Sequence, residues 1–83
     1  MKTAYLVIFI DVGAKPPTVT WAGIFSEATP SIARPLDCRT CVLASREADT
    51  FAGARQQIVD LVRYNHHYHW VLTSLRFAKE DFK

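Results

Sequence analysis

Between Asp49 and Asn65 the apolar residues recur at steps of three and four. Phe51, Ala54, Ile58, Leu61 and Val62 fall on one side of a helix, and Gln56, Gln57, Asp60 and Arg63 fall on the other. Asp49 or Thr50 supplies an N-cap oxygen for the free amide groups of the first turn. Arg63 sits favourably at the negative end of the helix, and Asn65 can terminate it. Gly53 is poor in a helix interior, which points to close packing of this early turn on a strand.

A one-sided helix needs an apolar partner, and the flanking chain offers strands. Residues 4–11 are apolar on both faces, Tyr5, Val7 and Phe9 alternating with Leu6, Ile8 and Ile10, the pattern of a central strand buried from both sides. Gly13 to Pro17 breaks the run, and Thr18 to Phe25 resumes it, so the two strands form a hairpin. Strict alternation in the second strand puts Val19, Trp21, Gly23 and Phe25 on one face, and their bulk predicts that this face meets the helix. Residues 26–39 carry two prolines and no period, a long irregular connection with Ile32 and Leu36 as candidate anchors. Thr40 to Ser45 reads as a third strand and Val71 to Phe77 as a fourth, with a charged tail from Ala78 to Lys83 in which Phe82 can pack back. The expected fold is one α+β domain over residues 1–83, a three- to four-stranded sheet, mixed or antiparallel, packed on one helix in the order β-β-β-α-β.

That order, with a strand feeding directly into a helix at Ala48-Asp49-Thr50-Phe51, resembles the small sheet-plus-helix unit of HicB-type antitoxins over residues 4–62. The resemblance lies in element order. The proline-and-glycine turn usual before the third strand in that family is missing here, and no site residue is carried over.

Composition narrows the classes of function. The chain has 83 residues, half of them apolar and 22% charged, which suits one small folded domain. A net charge of +2 without a cationic run makes nucleic acid the less favoured partner. Lys2 and the apolar run after it imitate the start of a secretory signal, but Asp11 ends that run early and no stretch approaches a membrane span, so a cytoplasmic location is expected.

Cys38 and Cys41 form a Cys-x-x-Cys pair, and with His66 and His69 (or the intervening His67) they supply the ligand types of a Cys2His2 zinc site. If the third and fourth strands were parallel across the helix, their starting ends would coincide and gather these side chains at one sheet edge. The alternative is a small buried cysteine beside solvated histidines. A redox role fits less well, since the pair precedes a strand instead of opening a helix.

Catalysis is the minority reading. Ser45 or Cys41 could be combined on paper with a histidine and Asp11, Asp37 or Asp49, but no nucleophile elbow or phosphate-binding glycine loop is present. Asp49 beside Glu47 is better explained as a cap.

Binding is the favoured class. Trp21 is expected in the core, whereas Arg63, Tyr64, Tyr68, Trp70 and Arg76 are residue types of interaction hot spots, crowded where a helix gives way to a strand. The reading is a non-enzymatic protein-protein interaction module, similar in type to small phage or mobile-element inhibitors of host complexes such as anti-CRISPR proteins. The alternatives are a zinc-binding module and a single-stranded nucleic-acid binder whose rings stack on bases. A homodimer through an unpaired sheet edge is a further expectation.

Overall fold

The computed structural model describes residues 1–30 and 38–71, with the side chain of Cys38 excepted. Three strands and one helix follow in the order β1 (Lys2–Asp11), β2 (Thr18–Phe25), β3 (Cys38–Ala48) and α1 (Phe51–Tyr64). The sheet is antiparallel throughout, with β1 between β2 and β3. That central place is what the unbroken apolar run of β1 dictates, and Leu6, Val7, Ile8 and Phe9 are all buried. β3 is longer than the sequence pattern suggests: pairing with β1 extends from Asp11↔Cys38 to Lys2↔Ala48, so the polar ends of β3 are held by the ladder and not by burial.

One irregularity in each ladder sets the faces. Opposite β1, Phe9 pairs with Trp21 but Ile10 pairs with Val19, leaving Thr20 as an extra residue whose hydroxyl donates to the Phe9 carbonyl at 3.3 Å. On the other side Leu6 pairs with Ala44 and Val7 with Val42, leaving Leu43 extra. Paired residues share a face. Ala4, Leu6, Ile8, Ala22 and Ile24 therefore lie with Ala54, Ile58, Val59 and Val62 of α1 in one buried cluster, which Val19, Leu43, Ala44, Ala48 and Phe51 border.

The expected orientation of β2 is corrected by this geometry. Trp21, Gly23 and Phe25 lie on the face turned away from α1, with Tyr5, Val7 and Phe9. Bulk does not choose the helix side here, because alanines at positions 4, 22, 44 and 48 let the helix backbone approach the sheet closely. Gly53 shows the closeness directly: a Cβ there would lie 3.2 Å from the Cβ of Ala48. On the opposite face the rings cover one another, Phe9 and Trp21 at 4.6 Å between centroids and Trp21 and Phe25 edge-on at 6.1 Å. Gly23 stands between the last two on that face.

Thr50, not Asp49, caps α1: its hydroxyl accepts from the amide of Gly53 at 3.1 Å. At the other end Asn65 is extended, its amide still donating to the Leu61 carbonyl. The fourth strand expected from Val71 does not begin there. Val71 is in a helical turn, its amide bonded to the Tyr68 carbonyl at 3.0 Å and its side chain fully buried in the helix-side cluster, so burial captured this residue without strand pairing. Residues 72–77 lie outside the described residues, as do Ile32, Leu36 and Phe82. Among the described residues no helix is long and apolar enough to cross a membrane.

If both faces carry stability, Ile58→Ala and Phe9→Ala should each cost about 2–5 kcal/mol in urea unfolding, although only Ile58 touches the helix-side core. Thr50→Ala should cost about 1 kcal/mol through the lost cap. A Phe9→Ala variant as stable as the parent would refute the two-sided core.

Candidate interaction surface

The end of α1 and the turn after it gather most of the sequence-predicted contact residues. Helix propagation stops at Asn65, whose side-chain carbonyl accepts from the amide of His67 at 2.9 Å while its backbone carbonyl accepts from Tyr68 at 3.0 Å. These two bonds fold residues 65–68 back on themselves, the local chemistry for which asparagine is favoured in turns. Tyr68 and Val71 then fasten the turn to the body, Tyr68 half-buried against the helix-side cluster. What remains outside is Tyr64, 80% exposed, Trp70, 36% exposed, and the imidazoles of His66, His67 and His69. The His66 and His67 rings lie 4.1 Å apart, tilted by 36°.

The predicted binding residues thus divide by role. Tyr64 and Trp70 present aromatic surface, whereas Tyr68 anchors the turn beneath them. Arg63 is half-buried and already engaged. Arg76 lies outside the described residues. Within residues 63–70 there is no carboxylate.

For the zinc reading, the geometry defines only part of the ligand set. Cys41 is an exposed free thiol on β3, opposite Ile8, and His66 and His69 are exposed in the turn. The Cys38 side chain lies outside the described residues. No group of three or more His, Cys, Asp or Glu placed to hold a metal ion occurs among the described residues. The argument that gathered the ligands at one edge required a fourth strand parallel to β3, and no described strand follows α1.

Of the residues considered for catalysis, Asp37 lies outside the described residues. Asp11 accepts from the amide of Gly13 at 3.0 Å in the hairpin turn, and Ser45 is exposed on β3 with its carbonyl accepting from Arg46. No family model, curated protein or solved structure matches the chain. The similarity to HicB-type units therefore remains one of element order.

A second surface lies on the other side of the sheet, where strict alternation and bulk do not place Trp21 and Phe25. On the face away from α1, Tyr5 and Phe25 form one cross-strand row, Val42, Val7 and Gly23 the next, and Thr40, Phe9 and Trp21 a third. Phe9 is 1% exposed, Tyr5, Trp21 and Phe25 are half-buried, and Val42 is 40% exposed. The signal that could have found this face is the excess of alanine on the alternate positions, which marks the side a helix can approach.

The exposed Cys41 thiol gives a direct check on metal binding. Iodoacetamide should alkylate Cys41 in the folded protein at a rate close to that of a urea-unfolded control. Zinc belongs to the protein if one equivalent protects this thiol and Cys38→Ser abolishes the protection. Unprotected alkylation with no zinc retained per chain removes the zinc reading.

Proposed function

We propose that the protein is a small non-enzymatic interaction module that occupies the surface of another protein or complex through the turn after α1. The observation that carries this reading is the high exposure of Tyr64 at the end of α1, next to a turn fixed to the body by Asn65, Tyr68 and Val71. A ring as exposed as Tyr64 on a preorganised scaffold has little to contribute to folding, and it loses little further conformational freedom when covered by a partner. Stoichiometric inhibition of a host complex, as in small phage or mobile-element inhibitors, is the kind of output such a module supports. A domain of this size also has little volume for both a core and an enclosed catalytic pocket.

Pull-down from a native host extract with the tagged full chain, followed by reconstitution with the recovered protein, tests the reading. Tyr64→Ala should weaken the reconstituted complex by about 2 kcal/mol or more, the scale of a hot-spot aromatic, while leaving unfolding stability within about 0.5 kcal/mol. Tyr68→Ala should lower stability itself, because its ring rests on the core. A complex indifferent to both Tyr64→Ala and Trp70→Ala would place the contact elsewhere.

A further inference from the structure

The two sides of the sheet differ in charge as well as in ring content. Register assigns Lys2, Arg39 and Arg46 to the helix side, opposite Ala48, Ile10 and Ala4, and Arg55 and Arg63 belong to α1 itself. Lys15 lies in the hairpin turn. None of the cations that the strand register places, Lys2, Arg39 and Arg46, belongs to the face that carries Tyr5, Phe9, Trp21 and Phe25. Two carboxylates do: Glu47, opposite Thr3, and Asp11, opposite Thr18, at the two ends of the aromatic rows. Glu47 is exposed, and its backbone carbonyl accepts from Gln57, which fixes the strand at that point without using the carboxylate. In a chain of net charge +2, the charges that the strand register places on this aromatic face are both negative.

We propose that this face docks a cationic, arginine- or lysine-bearing segment of a partner protein. Arginine and lysine are attracted to the faces and rims of aromatic rings, with arginine the commoner partner because its planar group also stacks. Tyr5 and Phe25 supply half-buried rings, Val42 an exposed apolar contact for the aliphatic stem, and Glu47 and Asp11 the charge at either end. Nucleic acid, which also stacks on aromatic sheet faces, needs cations to hold its phosphates and is opposed by the carboxylates here. The inference does not depend on the turn after α1, since it uses different residues on a different element.

Titration of the isotope-labelled full chain with a capped hexa-arginine peptide, followed by NMR, tests it. The expected result is saturable movement of the Trp21 indole signal and of the Val42 and Glu47 amides, with the Trp70 indole unmoved. Glu47→Lys should raise the dissociation constant about fivefold and Glu47→Gln by less, at unchanged melting temperature, and added salt should weaken binding. Tyr64→Ala should leave peptide binding intact, which separates this surface from the turn. The proposal is overturned by shifts that gather around Asp49 and Asp60, by lack of saturation, by indifference to Glu47→Lys, or by a response of this face to oligothymidylate and not to the peptide.

Discussion

Everything in this fold depends on β1 being buried from both sides. A strand with Leu6, Val7, Ile8 and Phe9 all buried cannot stand at an edge or with one face in water, so the chain must supply a neighbour on each flank and cover above and below. β2 and β3 provide the flanks. Cover on one side is the helix, brought close by small side chains, and on the other it is a layer of rings that shield one another. The two solutions differ because a helix needs a shallow bed, whereas aromatic groups stand up from the sheet and fill depth themselves.

The two extra residues, Thr20 and Leu43, adapt the outer strands to this arrangement. Because side chains alternate with a period of two, one inserted residue reverses the faces beyond it. In β2 the insertion returns Val19 to the helix side beside Ile10, so that β2 contributes to the helix-side cluster at both ends of its length. In β3 it lets Leu43 and Ala44 both border that cluster before Val42 passes to the ring face. Neither insertion has a proline or glycine to announce it in the sequence.

Those insertions explain which features could be read from the residues. The helix, its asparagine end, the double burial of β1, the span Thr18–Phe25 and the close approach at Gly53 all follow from local pattern, and each is present. The face of Val19 could not follow, since strict alternation groups it with Trp21 and only the register across to β1 separates them. The orientation of Trp21 failed for a different reason: apolar bulk was taken as a marker of the helix side when the alanines were the better marker. Beyond α1, Val71 has the composition of a strand residue but is buried within a helical turn, since its burial is met by contacts across the core and needs no ladder. In the candidate surface the anchoring role of Tyr68 was not readable, because outward and inward rings in a turn share no period.

The same distribution of bulk bears on how a chain of this size can present binding surface at all. Small domains bury a low fraction of their surface, so rings retained at partial exposure are costly unless they also serve the core. Trp21 and Phe25 meet that condition by packing their rings on Phe9 while keeping part of their own surface in solvent. Tyr64 does not, being exposed over most of its area at a helix end where a polar residue would serve the fold equally well. The two aromatic groups are thus under different constraints. Substitutions on the sheet face alter stability and surface together, whereas Tyr64 can change while the fold stays as it is.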